Sequence, residues 1–319
     1  MQLANQIISG DRRALAKAIS MVENNASGKV GLMDEIYKQT GQAQIIGITG
    51  PPGVGKSSLV DKLASEYRKQ GKKIGIIAVD PSSPFSGGAL LGDRVRMTSL
   101  SSDENVFIRS MSSRGHLGGL AVGVRDTIKL LDAFGMDIVL VETVGVGQSE
   151  MEVMYAVDTT VLVLTPVAGD MVQVMKAGVM EIADIYVINK ADISGADKAR
   201  SELEELASLK RDHLGWHLPI ILASAINEKG ISGILNALKE HKLYIRENSS
   251  TVSRREQQLE MDFIQKTMDY IKSTIEERWV NNGRMKMIAR EVLGRKLKPS
   301  QAINKVLADI TREWAEKNQ

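Results

Sequence analysis

Gly50-Pro51-Pro52-Gly53-Val54-Gly55-Lys56-Ser57 matches G-x-x-x-x-G-K-[ST], the pattern of a phosphate-binding loop. The pattern carries weight only between a strand and a helix, and the flanks supply both. Gln44 to Thr49 (QIIGIT) is a short apolar, β-branched run that reads as a buried strand. From Lys56 onward, Leu59, Val60, Leu63 and Tyr67 recur at helical spacing until Gly71 closes the helix. Gly50, Gly53 and Gly55 let the backbone turn its N–H groups onto phosphate oxygens, and the helix start adds its dipole. Lys56 can reach the β- and γ-phosphates, Ser57 can ligate Mg²⁺, and Ser58 continues the same phosphate-facing turn.

Outward from that loop, strand and helix patterns alternate. Strands are expected at Ile45–Thr49, Ile74–Asp80, Val106–Arg109, Asp137–Glu142, Thr160–Leu164, Ile185–Asn189 and Ile220–Ala223. Most are unbroken Val/Ile/Leu runs, as strands buried on both faces should be. Helices are expected at 56–70, 88–100, 119–134, 170–181, 197–210 and 230–240. This is a doubly wound, mostly parallel α/β sheet, in which ligands belong at the carboxyl ends of the strands. Residues 1–43 form a helical segment. Leu3, Ile7 and Ile8 precede a break at Ser9-Gly10-Asp11, with Asp11 as N-cap; Leu15, Ile19 and Val22 follow, then a second short helix over Val30 to Gln39. The phosphate-loop domain covers 44–245. Residues 246–319 form a helical arm in which Met261, Ile264, Met268, Ile271 and Ile275 repeat at steps of 3, 4, 3 and 4. Such a seam packs on its own domain or docks against another subunit.

The base end is as specific as the phosphate end. Asn189-Lys190-Ala191-Asp192 ends the sixth strand in an N-K-x-D pattern. A carboxylate at Asp192 can accept from both the N1–H and the 2-amino group of guanine. Adenine offers neither donor and would leave that charge unpaired. Asn189 can bond N7 or brace the phosphate loop, and Lys190 can cover the ring face. Ser224-Ala225-Ile226 follows the last strand, where a backbone N–H can meet guanine O6.

Asp80 and Glu142 end the second and fourth strands, the latter in Glu142-Thr143-Val144-Gly145. Carboxylates there hold a metal or its water shell, and the glycine N–H senses the γ-phosphate. Glu142 stands where many switch proteins carry aspartate, so its longer side chain suggests a water-mediated or hydrogen-bonding role. Gly87–Met97 and Gly115–Gly119 are glycine-rich stretches of the kind that order on a γ-phosphate. Asp93 can reach the metal region. Arg94, Arg96 and Arg114 contact phosphates or a partner, or are solvated loop charge.

Composition narrows the class. In 319 residues there are 41 basic and 39 acidic side chains, too balanced for nucleic acid as the main partner. With no cysteine, disulfides, thiolate metal sites and cysteine nucleophiles are excluded. No nearby carboxylate completes a zinc pattern around His213 and His217, which read as surface or packing residues. No apolar run approaches the roughly 18 residues of a membrane span, and the N-terminus lacks a signal-peptide core, so a cytoplasmic protein with no membrane partner is expected.

The runs GDRRALAKAI at 10–19, GPPGVGKSS at 50–58, AVDPSSPFSGGALLGDRVRM at 78–97, RGHLGG at 114–119, ETVGVGQSE at 142–150 and NKAD at 189–192 resemble the MeaB/ArgK family of P-loop GTPases. That family includes the mitochondrial methylmalonic aciduria type A protein. The resemblance covers residues 10–245 and implies a fold similar to the signal-recognition and metal-chaperone GTPases. It implies bound GTP or GDP, Mg²⁺, and a homodimer formed through the C-terminal arm. It also implies a chaperone role toward an adenosylcobalamin-dependent acyl-CoA mutase, coupling GTP hydrolysis to cofactor loading and protection. Lys56 and Ser57 then take the phosphate and Mg²⁺ roles. Asp80, Asp93 and Glu142 resemble the acidic residues of the metal and hydrolysis site, and Asn189, Asp192 and Ser224 the guanine site. Thr165 to Lys176 resembles a third switch that signals to the mutase. Two other readings stand beside it: a metal-insertion GTPase, which usually needs a Cys/His cluster, and a nucleotide-dependent kinase or ATPase linked to basic amino-acid transport.

Overall fold

The computed structural model describes residues 2–80, 98–112, 119–143, 145, 154–167, 180, 182–209, 215–248 and 250–317. They fall into two compact units, 1–254 and 255–319.

Three helices come first: α1 (Gln2–Ile8), α2 (Arg12–Glu23) and α3 (Lys29–Ile36). Asp11 caps α2, accepting from the Arg13 N–H at 2.8 Å and the Ala14 N–H at 3.1 Å. Then follow β1 (Gln44–Thr49), α4 (Lys56–Lys69), β2 (Ile74–Asp80), α5 (Thr98–Ser101), β3 (Val106–Ser112), α6 (Gly119–Ala133), β4 (Ile138–Thr143), β5 (Thr159–Leu164), β6 (Ile185–Ile188), α7 (Ala196–Leu209), β7 (Ile220–Leu222) and α8 (Ile231–Glu247). The strands form one seven-stranded sheet in the order β3-β2-β4-β1-β5-β6-β7. Every pairing in it is parallel.

Continuous apolar strands put alternate residues on opposite faces, and both faces are covered. Ile77, Val79, Val139 and Val141 join a core with α1, α2, α3 and α6. Ile74, Ile76, Ile138 and Leu140 face the other way, into a core with α4 and α8. The N-terminal helices are thus part of the sheet's own packing. Arg109 of β3 donates to Glu23 and Ser20 of α2, and Arg12 donates to the Val106 carbonyl at 2.8 Å. These bonds explain a departure from expectation. Arg109 reads as the end of the third strand, but α2 satisfies it and the strand runs on to Ser112. The helices expected at 88–100 and 170–181 fall largely outside the described residues.

At the amino edge of the sheet, aspartates close the strands together. Asp137 accepts from the Lys73 N–H at 2.8 Å, Asp158 from the Ile45 N–H at 2.9 Å, and Asp184 from the Thr160 N–H at 2.8 Å. His241 is buried there, its Nδ1 2.9 Å from the Thr159 hydroxyl and its Nε2 3.6 Å from Asp184.

The second unit contains most of α9 (Ser250–Ile275), then a π-helical turn (Glu276–Val280), α10 (Arg284–Leu293) and α11 (Pro299–Lys317). Its core is Trp279, Ile288, Ala302, Val306 and Ile310, with Ile275 packed against it. Further along α9, Leu259, Phe263, Ile264 and Met268 are exposed. Of the heptad-like seam, Ile275 is half-buried against this core, while Ile264 and Met268 are exposed. No described helix is long and apolar enough to cross a membrane.

Candidate nucleotide site

The loop from β1 to α4 is shaped by close approach. Gly50 has φ +149, and a Cβ there would lie 2.1 Å from the Val163 carbonyl oxygen. Gly55 has φ +92, and a Cβ there would lie 2.5 Å from the Asn189 side-chain nitrogen. Neither position admits a side chain without moving backbone or breaking a buried amide contact. Gly55 is also the N-cap of α4, and no side chain caps this helix. The first N–H groups of α4 therefore point out of the loop as donors, with the positive end of the helix dipole behind them.

Lys56 is buried, its ammonium donating to the carbonyls of Gly50 at 2.8 Å and Pro51 at 2.9 Å. Those bonds hold the cation at the base of the loop. Ser57 donates its hydroxyl to Glu142 Oε1 at 2.6 Å. Glu142 is the penultimate residue of β4, and its register beside Ile48 of β1 sets this meeting. A hydroxyl and a carboxylate, both hard oxygen donors, fit Mg²⁺, which takes one or two protein carboxylates and leaves its other positions to water and phosphate. No cluster of three or more His, Asp or Glu side chains arranged for a metal occurs among the described residues. Asp80 is placed at the end of β2. Its side chain lies outside the described residues, as does all of Asp93. Gly145 lies beside the loop, its carbonyl accepting from the Thr49 hydroxyl at 3.0 Å. The buried Thr143 hydroxyl stands 3.0 Å from that of Thr49.

Two side chains fasten the base end to the phosphate end among the described residues. Asn189, buried at the end of β6, donates to the Val54 carbonyl at 2.8 Å and accepts from the Ala225 N–H at 3.1 Å. Asn189 thus braces the phosphate loop. Lys190, in the left-handed region at φ +58, donates to the Gly53 carbonyl at 2.8 Å. Asp192 is exposed and accepts from the Ser224 hydroxyl. That bond holds its carboxyl below the usual value. The Ser224 N–H donates to the Lys229 carbonyl at 3.0 Å. With the Ser224 and Ala225 amides both engaged, Ile226 is the next amide of the loop, and its side chain is 81% exposed.

Gly50 to Ser58, Glu142, Gly145, Asn189, Lys190, Asp192 and Ser224 to Ile226 thus meet at the carboxyl edge of the sheet. Asp93, Arg94, Arg96, Arg114 and the switch-like residues 168–176 lie outside the described residues. The sequence reading missed Thr49, Thr143 and Asp61. The signal for Asp61 was present: it lies one helical turn after Ser57, on the same face of α4.

The chain is similar to proteins of known family and structure. A Pyrococcus abyssi protein is 45% identical over 97% of this chain and 96% of its own length. The mitochondrial methylmalonic aciduria type A homolog of Caenorhabditis briggsae is 37% identical over 81% of this chain and 67% of its own. A crystal structure of a LAO/AO transport system kinase superposes with a TM-score of 0.71 at 27% identity, covering 97% of each chain. The family model described as methylmalonyl Co-A mutase-associated GTPase MeaB matches residues 15–279, and the chain belongs to that family.

Proposed function

We propose that the protein binds and hydrolyses GTP, and that this cycle serves an adenosylcobalamin-dependent acyl-CoA mutase as a chaperone for cofactor loading and protection. The observation that carries the nucleotide half is the Asn189 brace. By joining Val54 to Ala225, it makes the phosphate loop and the Asp192–Ser224 pair one site. The mutase half rests on family membership.

In this reading the α4 N–H groups and Lys56 bind the β- and γ-phosphates. Ser57 and Glu142 would hold Mg²⁺, with Asp80 and Asp93 as further candidates. Bound there, the ion would neutralise phosphate charge. Asp192 accepts the two guanine donors, and the stem of Lys190 lies along the ring. Gly145 follows the γ-phosphate, and Thr49 with Thr143 holds it until it moves. Water attacks in line, giving GDP and phosphate. Intrinsic turnover is slow, and the mutase activates it by ordering the switches. If added mutase leaves GTP turnover unchanged across a wide concentration range, the activator role fails.

The arm, residues 246–319, is the dimerisation element in the same proposal, through the exposed Leu259, Phe263, Ile264 and Met268. The protein works in the cytoplasm. The deciding experiment is competitive binding of GTP and ATP, followed by co-purification of an acyl-CoA mutase with a non-hydrolysable GTP analogue. Equal affinity for ATP would favour the kinase reading, to be settled by assaying phosphate transfer to an acceptor.

A further inference from the structure

The start of α4 and the loop after β7 face one another across a cleft of about 220 Å³, lined by Ser57, Ser58, Asp61, Lys62, Ala225 and Ile226. Ser57 and Ser58 belong to the phosphate end, and Ala225 and Ile226 to the base end. A nucleotide with its phosphates on the α4 N–H groups and its base at Asp192 carries its sugar across this cleft. Two polar side chains beyond the loop line it. Lys62 is committed to Glu228, its ammonium 2.7 Å from that carboxylate.

Asp61 has an oxygen left without such a partner among the described residues: its Oδ1 is buried with no hydrogen bond. Burial pushes its carboxyl above the usual value, partly offset by the charge of Lys62. A carboxylate is an acceptor, and a half-buried one without a donor is costly to keep. Between base and phosphates, a nucleoside triphosphate offers one kind of donor, the sugar hydroxyls. The donors of the base go to Asp192, and the phosphate oxygens donate nothing.

We propose that Asp61 is a sugar-reading residue, accepting a hydrogen bond from a ribose hydroxyl and so favouring ribonucleotides over nucleotides that lack those hydroxyls. This rests on the GTP reading above and adds a specificity determinant to it. The test is equilibrium titration of GTP and 2′,3′-dideoxy-GTP against the wild type, Asp61→Ala and Asp61→Asn. The wild type is expected to bind GTP about tenfold more tightly than the dideoxy analogue, the scale of one hydrogen bond to a charged group. Asp61→Ala brings GTP down to the affinity of the analogue and leaves the analogue within about twofold, which also reports that the variant is folded. Asp61→Asn, which keeps an acceptor oxygen, falls between the two. Equal wild-type affinity for both nucleotides, or equal losses for both in Asp61→Ala, overturns the role of Asp61 alone. A wild type that binds no guanine nucleotide overturns the GTP reading itself.

Discussion

The two edges of the sheet use the same residue types in opposite ways. At the amino edge an aspartate stands immediately before each of β4, β5 and β6: Asp137, Asp158 and Asp184. Each accepts a backbone N–H at the start of a neighbouring strand, at 2.8 to 2.9 Å. At the carboxyl edge, Glu142 and Asp192 accept instead from the side-chain hydroxyls of Ser57 and Ser224. The difference follows from the direction of a parallel strand. Its amino end presents N–H groups with no ladder partner, so a fixed acceptor is needed there. Its carboxyl end leads into helix starts whose N–H groups point outward and attract anions. Acids there meet hydroxyls, which rotate and can be exchanged for a ligand. The amino edge holds the fold, and the carboxyl edge is held ready.

The largest effect that tests this division belongs to Lys56. In the proposed GTP cycle Lys56 neutralises the transferring phosphate, so Lys56→Ala should lower GTP turnover by roughly 10²- to 10³-fold in a phosphate-release assay. The thermal midpoint should move little by comparison. Turnover near wild type would break the assignment of the carboxyl edge to chemistry.

Asp192→Asn comes next. It exchanges a double acceptor for a group with its own donors, and GTP affinity should drop by about 10²-fold by calorimetric titration. Xanthosine triphosphate should recover binding, because its base has a carbonyl where guanine has an amino group. Loss of both nucleotides together would show that Asp192 supports the loop and does not read the base.

Asp184→Ala probes the other edge. It leaves the Thr160 N–H unpaired at a buried position and takes away the carboxylate beside His241. Stability should fall by about 2–3 kcal/mol in denaturant unfolding. GTP affinity should stay within about threefold for the folded fraction, as expected of sites without shared partners. A selective loss of GTP binding would join the two edges that the comparison separates.

The chain declared its carboxyl edge more openly than its amino edge. Gly50 to Ser57 and Asn189 to Asp192 are local patterns, each readable because its chemistry needs fixed spacing along a few residues. The buried strands were legible for the same reason, through unbroken β-branched runs. The amino-edge aspartates were not read, although each precedes a strand, because each one's partner lies on another strand and only register selects it. Asn189 shows the limit within a motif: spacing allowed it to touch the base or the loop, and the fold put its amide on Val54. The meeting of Ser57 with Glu142, 85 positions apart, also depends on where β4 lies beside β1.

Asp103 sharpens the comparison at its weakest point. It lies just before the edge strand β3, where no further strand offers an N–H, and it binds Arg68 of α4 at 2.7 Å and the Asn105 N–H at 2.8 Å. The Arg68 hydrogen bond, then that of Asn105, holds its carboxyl below the ordinary 3.8. A depressed carboxyl stabilises the fold fully above its unfolded value and loses that contribution as pH falls through the lower folded value. The pair is partly exposed, so screening limits it to about 0.5 kcal/mol. Asp103→Ala should therefore shift the urea midpoint slightly at pH about 7, and the shift should shrink as pH falls below about 4. A shift as large as that of Asp184→Ala would mean that an edge strand needs its aspartate as much as the central strands do. A shift independent of pH would trace the effect to the loop backbone and not to the charge.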